Sequence, residues 1–582
     1  MEKVIKQSFK KRTIKRILPT FIVAFTIPLV VCLCIPLEFF ANNIDEFFFS
    51  FSSFFPMAIV FALLFTSLFF FALIFLPEKA YRISCAILIG MAVMFFLQGN
   101  YLNLGINSLA GDNLGVASIT IGQKIFNIII WVVVIAGAVV LSLLKDKNGI
   151  IGLVGLLVSG IVIITHVMSP LLLVFTTENV FASREDRVAT SETATIPKIL
   201  TNKGLTTISK TNNVFFFCVD RFDIEYAELG FNECPEIYDM LDGFTLFEDN
   251  VSLYGHTFPG VANLLTGKRY DLNKPREDFL STVYLENNTL DVLNEKGYKI
   301  NLFTQPYYVY TDACFFPNYV QNIASATTYE VHSKGILSLN LMQISLYRCF
   351  PLFFKPFVGN INSGTCNKFV ESKGSDGYSQ FTCDMKDVWY TMESMPFNSI
   401  DDKLFTFLHI DGCHGVLYDE EWNDASLFEM QDMTISLKQS FNIINKYLKA
   451  MKDAGVYDDS TIIITGDHAT PINDRKALEQ SSLTALFVKP AGSTHKEIKR
   501  SKAQVSHDAL WPTIFNSENI DVDLDNKSVF QIDENENRVR EYFWHTYSVP
   551  TIQYVYSING SGKNFKNWNL EKTNYYDKFI MD

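Results

Sequence analysis

NVFFFCVDRFD, residues Asn213–Asp223, is where this sequence changes character. Val214–Val219 is an unbroken apolar run that stops at Asp220. A strand carries such a run when both of its faces are covered, as in the middle of a parallel sheet. The shape returns twice. KLFTFLHIDGCHG (Lys403–Gly415) runs into Asp411 and His414, and STIIITGDHAT (Ser460–Thr470) runs into Asp467 and His468. A fourth run, YKINLFTQP (Tyr298–Pro306), follows the helix-like NTLDVLNEKG. Strands alternating with helices predict an α/β domain with a mostly parallel central sheet flanked by helices. In such sheets functional groups gather at the carboxyl ends of the strands. Asp220, Asp411, His414, Asp467 and His468 all stand there.

Upstream of Asn213 the composition is different. Five apolar segments, roughly Ile17–Leu37, Phe54–Leu76, Tyr81–Leu97, Ile125–Leu144 and Ile150–Val174, each approach the length that crosses about 30 Å of hydrocarbon. The start, MEKVIKQSFKKRTIKR, is basic, as are PEKAYR after the second segment and KDKNG after the fourth. Asn42–Ser53 and Gly99–Gly122 hold little Lys or Arg. The positive-inside rule then puts the N-terminus in the cytoplasm and everything after the fifth span outside, at the cell membrane. Five spans behind a long basic start are not a cleaved signal peptide. His166, near the outer end of the fifth span, reads as interfacial.

The expected organisation is a membrane domain of five transmembrane helices (1–175), a juxtamembrane linker (176–212), a catalytic domain (213–540) and a β-rich extension (541–582). The linker is polar, with no apolar period, and the extension alternates aromatic and β-branched residues with Gly turns. The net charge of −13 argues against a nucleic-acid partner, which requires basic patches. Of seven cysteines after the spans, an odd number, Cys366 and Cys383 flank a polar stretch and are the expected local bridge.

SLYGHTFPGVANLLTGKRYD (Ser252–Asp271) places Thr257 just ahead of a short helical pattern. A helix N-terminus favours a bound phosphate or sulfate. Thr257 is there either as a plain N-cap or as a nucleophile aimed at such an anion. Asp and neutral His suit a divalent ion, Mn²⁺ or Zn²⁺. Asp220, Asp467 and His468 are its candidate ligands, with Thr257 as the fourth ligand and nucleophile. His256 reads as structural or as a support for Thr257, and His409, alternating within a strand, as a satisfied core histidine. Arg475 and Lys476 read either as contacts for an anionic head group or as a solvated loop.

Taken in order, the strand ending in Asp220, TFPGVANLLTG, HIDGCHG, TIIITGDHAT and VSHDALWPTIF resemble the alkaline phosphatase/sulfatase superfamily from about Asn213 to Phe515. With the spans ahead of it, the chain is similar to the membrane-anchored branch: lipoteichoic acid synthase-like phosphoglycerol transferases, then lipid A phosphoethanolamine transferases. The resemblance implies Thr257 as nucleophile, Asp220, Asp467 and His468 as metal partners, and His414 as the group that contacts the substrate phosphate or protonates the leaving group. Those synthases carry Glu where this chain has Asp220. DGCH also resembles the Asp…Gly-His motif of a nucleotide pyrophosphatase branch that binds a second zinc, a role that would fall to Asp411, His414 and His507. One ion is the favoured reading. True sulfatases place a formylglycine-forming Cys or Ser in C/S-x-P-x-R. Thr257-Phe258-Pro259-Gly260-Val261 keeps the Pro but lacks both the Cys or Ser and the Arg, which argues against sulfate ester hydrolysis. The resemblance implies transfer of a phosphoglycerol-type head group from a membrane phospholipid to a glycolipid or polymer acceptor through a phospho-threonine. The alternative is a membrane-anchored phosphodiesterase, phosphoethanolamine transferase or other hydrolase of the superfamily.

Overall fold

A computed structural model describes residues 2–580 except 45–46, 104–119, 145–149, 178, 184–185, 187–196, 286–287, 307–308, 311, 359–365, 367–369, 416–417, 424–431, 470–480, 525, 548–549 and 578–579. Arg475 and Lys476 lie outside the described residues. The chain forms two compact units: Met1–Ile196 with Thr327–Ser372, and Pro197–Ala326 with Lys373–Asp582.

Among the described residues, the first unit holds five helices long and apolar enough to cross a membrane: Ile14–Asn42, Phe51–Ile74, Glu78–Leu102, Ile121–Leu143 and Ile150–Thr176. All five match the segments expected from hydropathy, and the protein is a multi-pass membrane protein. Two of them contain a π-helical stretch, Leu29–Cys34 in the first and Gln98–Leu102 in the third.

In the second unit, seven strands form the central sheet: β1 (Asn213–Val219), β2 (Thr245–Val251), β3 (Tyr298–Phe303), β4 (Lys403–Ile410), β5 (Thr461–Thr465), β6 (Leu486–Lys489) and β7 (Lys499–Ser506). Their order is β7-β2-β6-β5-β1-β4-β3. β6 alone runs against the others. β1 shows why the apolar run is unbroken. Val214, Phe216 and Cys218 enter the core on one face, and Phe215, Phe217 and Val219 enter the core on the other. The first core is shared with α1 (Thr257–Thr266) and α4 (Leu510–Ser517), the second with α3 (Met433–Asp453). Burial on both faces is what an apolar period of one residue demands.

A three-stranded antiparallel sheet, β8 (Val539–His545), β9 (Thr551–Asn559) and β10 (Trp568–Tyr576), closes the unit. Its Tyr542, Trp544, Tyr556, Ile558 and Trp568 share an apolar cluster with Val251 and Leu483. Arg540 on β8 forms a buried ion pair with Asp249 on β2, Nη1 to Oδ1 2.8 Å.

Three features depart from the sequence reading. The second unit begins at Pro197 rather than Asn213: Lys198–Leu200 and Thr207–Ser209 are short strands, and Leu200, Leu205 and Ile208 are buried. Residues 327–372, inside the expected catalytic domain, fold with the membrane helices, led by the helix α2 (Lys334–Cys349). Cys366 and Cys383 carry free thiols and sit in different apolar cores, so the expected bridge is not formed.

Candidate active site

Asp220 directly follows β1, Asp411 follows β4, and Asp467 and His468 stand just beyond β5. The parallel pairing of β5 with β1 and of β1 with β4 brings these three strand ends side by side. Backbone bonds tie the turns together: Asp220 N donates to Ile410 O at 2.9 Å, and Cys413 N donates to Asp220 O at 2.9 Å. Gly412 lies between them at φ +47°, and a β-carbon there would collide with Val219 Cγ1. Glycine is what allows so close a turn.

Thr257 comes to the same place from β2. Its hydroxyl donates to Asp220 Oδ2 at 3.4 Å and caps no helix N–H; the capping position belongs to His256. Phe258 and Pro259 are not helical, so regular helix starts after them. The segment before Thr257 is held by β8: Phe543 N donates to Leu253 O at 2.8 Å, and Gly255 N donates to Phe543 O at 3.0 Å. A β-carbon on Gly255 would meet Tyr542 Oη and come within 2.8 Å of Trp544 Cδ1. His256 Nε2 lies 2.8 Å from His545 O. Burial, reinforced by the charge of His468, pushes the His256 pKa down to about 3, so its ring is neutral and donates from Nε2.

Around Thr257 the polar atoms converge without pairing. His468 Nδ1 donates to the Ala469 carbonyl at 2.7 Å, which orients the ring and turns Nε2 toward the carboxylates. That Nε2 is 3.5 Å from Asp220 Oδ1 and 3.7 Å from Asp467 Oδ2. His409 Nε2 is 3.7 Å from Asp220 Oδ2, beyond hydrogen-bond length, while its Nδ1 lies 3.2 Å from Thr304 Oγ1. Ligand atoms of Asp220, His409 and Asp467 lie within 4.8 Å of one another. Asp220 Oδ1, Asp467 Oδ2 and His409 Nε2 are all buried without a hydrogen-bond partner. Buried carboxylate oxygens left unpaired cost several kcal/mol, and separations of 3.5–3.7 Å fit donors that share an ion. The set suits a divalent cation.

Burial by itself would raise the Asp220 pKa, but His409 beside it and the charges of His468 and His414 hold it below the usual carboxylate range. Burial opposes a charged His409, yet Cys383 and Asp220 raise its pKa well above the ordinary value. Without an ion, a proton on His409 supplies the counter-charge, and a cation seated among these ligands takes over that task.

The structure brings Thr257, Asp220, Asp467 and His468 together and adds His409, which the sequence reading had assigned to the core. Asp411 and His414 flank the group on a short 3₁₀ turn, with His414 exposed. His507 is buried, with Nε2 3.2 Å from Thr484 Oγ1 and 3.5 Å from Thr465 Oγ1, and it is not part of the ligand group. The signal for His409 lies in the strand register. It pairs with Cys218 in parallel, and Asp220, two residues on, shares the face of Cys218.

A family model described as Sulfatase matches residues 212–517, more than half of the chain. The chain belongs to the sulfatase family. It is a hydrolase or phosphotransferase of the alkaline phosphatase/sulfatase superfamily. A search of curated proteins returned no match. Among solved structures, the lipoteichoic acid synthase LtaP from Listeria monocytogenes is similar at 12% identity, over 62% of this chain and 88% of that one, with a TM-score of 0.35. The phosphonate monoester hydrolase SpPMH from Silicibacter pomeroyi is similar at 14% identity, over 63% and 89%, with a TM-score of 0.37. A protein in the alkaline phosphatase superfamily from Vibrio parahaemolyticus is similar at 12% identity, over 68% and 89%, with a TM-score of 0.34. These distant likenesses carry no argument about substrate.

Proposed function

We propose that the protein transfers a phosphoglycerol-type head group from a membrane phospholipid to a cell-envelope acceptor through a phosphodiester on Thr257. The observation that carries this reading is the Thr257 hydroxyl, 3.4 Å from Asp220 Oδ2 beside three unpaired buried donors, in a chain anchored by five apolar helices. Such an anchor keeps the site near lipid and raises the effective substrate concentration.

Asp220, Asp467, His468 and Thr257 would hold the divalent ion, Mn²⁺ or Zn²⁺, with His409 in reach of the same position. When bound, the ion lowers the pKa of the Thr257 hydroxyl and offsets charge on the phosphoryl oxygens. Thr257 Oγ1 attacks phosphorus, and its proton leaves along the hydrogen bond to Asp220 Oδ2. The bond to the diacylglycerol oxygen breaks, and His414 delivers a proton to that oxygen. An acceptor hydroxyl then gives its proton to His414 and attacks the Thr257 ester, and as the P–Oγ1 bond breaks Oγ1 takes back the proton held by Asp220. A glycolipid or polymer hydroxyl as acceptor makes the enzyme a transferase; water makes it a phosphodiesterase.

The basic N-terminal segment and the two basic loops support a cytoplasmic N-terminus and an extracellular catalytic domain in the cell membrane. The test uses full-length protein in detergent with fluorescent phosphatidylglycerol and Mn²⁺ or Zn²⁺. Diacylglycerol release is expected, and it should disappear with chelator and in Thr257→Ala. Release that persists in Thr257→Ala would refute the phospho-threonine route. No release from folded protein with either metal would refute the phosphatidylglycerol assignment.

A further inference from the structure

Residues 327–372 belong to the membrane unit although they lie far along the chain from the spans. Gly335–Tyr347, thirteen residues within α2, carry no charged side chain, and Lys334 and Arg348 bracket them. A stretch of that length is too short to cross a bilayer; it suits a buried helix or one that enters and leaves by the same side. Its packing decides between these.

The polar contacts of α2 and the residues just after it fall toward one end of the bundle. Ser338 Oγ donates to the Phe54 carbonyl at 2.8 Å, at the start of the second span. Arg348 Nη1 pairs with Glu38 Oε2 at 3.2 Å, near the end of the first. Asn103, just past the third span, donates from Nδ2 to the Arg348 carbonyl at 2.9 Å, and Leu352 N donates to Asn127 Oδ1 at 3.0 Å in the fourth. Gln98 joins this set by accepting from Asn127 Nδ2 at 2.7 Å and from Trp131 Nε1 at 3.0 Å. Lys355 Nζ donates to the Tyr347 and Arg348 carbonyls, which satisfies the helix C-terminus internally. An internally satisfied backbone is what hydrocarbon surroundings require.

Apolar contacts reach deeper. Met342 and Cys349 share one core with Val30, Val31, Ala62 and Trp131. Leu337, Leu341 and Ile344 share another with Phe40, Phe47, Phe49 and Phe54. Ala62 is eleven residues into the second span, about 17 Å along its axis at ~1.5 Å per residue. With those faces covered, α2 still turns Ile336 and Leu339 outward, each 46% exposed, and Phe353 just after it is 49% exposed. Leu64 in the second span, at 50%, is exposed to the same degree. An uncharged stretch seated against spans, with Ile336 and Leu339 on its open face, has lipid as the remaining neighbour of those side chains.

We propose that Lys334–Phe353 is a re-entrant membrane element, and that Ile336, Leu339 and Phe353 contact the acyl chains of the leaflet it enters. The chain is then embedded in the bilayer twice, by the five spans and by a helix from within the interval of the sulfatase match. The proposal concerns the membrane unit alone and is independent of the reaction assigned to Thr257.

The test places one photoreactive residue at a time in full-length protein reconstituted in phosphatidylglycerol/phosphatidylethanolamine vesicles. The variants are Ile336→benzoylphenylalanine, Leu339→benzoylphenylalanine and Phe353→benzoylphenylalanine. Phe71→benzoylphenylalanine, on a 61% exposed span position, and Tyr390→benzoylphenylalanine, on a 52% exposed position of the second unit, serve as the two references. After irradiation, intact-protein mass spectrometry is expected to find phospholipid adducts at 336, 339 and 353 in yields within about threefold of position 71. Yields at all three no higher than at position 390 would overturn the proposal. The three positions are all on the surface, so loss of one variant to misfolding leaves two.

Discussion

Thr257 and the donors around it decide whether this site does chemistry. The hydroxyl points to Asp220, His468 Nδ1 is tied to the Ala469 carbonyl, and Asp220 Oδ1, Asp467 Oδ2 and His409 Nε2 are left without a hydrogen-bond partner. Thr257→Ala should lower head-group release at least about a thousandfold, because the covalent route is gone, while Thr257→Ser should retain measurable release. Steady-state assays of the two variants side by side check this. His409→Ala should weaken divalent-ion affinity by about 10–100-fold, measured by titration of the purified full-length protein. An unchanged affinity would return His409 to a packing role. Asp220, Asp467 and His468 were legible in the sequence because a carboxylate at the end of an apolar run has few other uses. His409 was not, because its partner depends on the register of β1 against β4, and one slip would turn the ring to the other face.

At the scale of elements, the antiparallel C-terminal sheet does more than close the domain. β8 hydrogen-bonds the segment just before Thr257, and Arg540 fixes β8 to β2 through Asp249. Both partners are buried, so Arg540→Ala strands a carboxylate and should cost about 3–5 kcal/mol, visible as a lower Tm. The turn leading into α4 carries a separate, pH-dependent contribution. Burial pushes the His507 pKa down to about 3, against about 6.5 in the unfolded chain. Protonation therefore favours unfolding. The stability His507 contributes is complete above about pH 6.5 and is lost as pH falls toward 3. At pH 5 the loss amounts to about 2 kcal/mol. In Tm measurements at pH 7 and 5, His507→Gln should fall less than wild type. The central strands were readable from sequence because burial on both faces leaves an unbroken apolar run. Lys198–Leu200 and Thr207–Ser209 were not, since three-residue strands in polar surroundings carry no period.

Across the whole molecule, five apolar helices accompany a sulfatase-family domain with a buried Thr/Asp/His group, and the proposed chemistry on lipid-borne phosphodiesters rests on that combination. Hydropathy found all five spans, because twenty apolar residues in a row have one ready explanation. It did not find that 327–372 folds with them. α2 is shorter than a span, and its apolar pattern is the same one a soluble helix would show. The proposed transfer passes through a covalent bond to Thr257, and peptide mass spectrometry reads that bond directly. Full-length protein would be incubated with phosphatidylglycerol and Mn²⁺ without acceptor, acid-quenched and digested. The expected result is the mass of one glycerol phosphate ester on the peptide containing Thr257. Turnover of the same lipid with that peptide unmodified, at quench times from milliseconds to minutes, would contradict it.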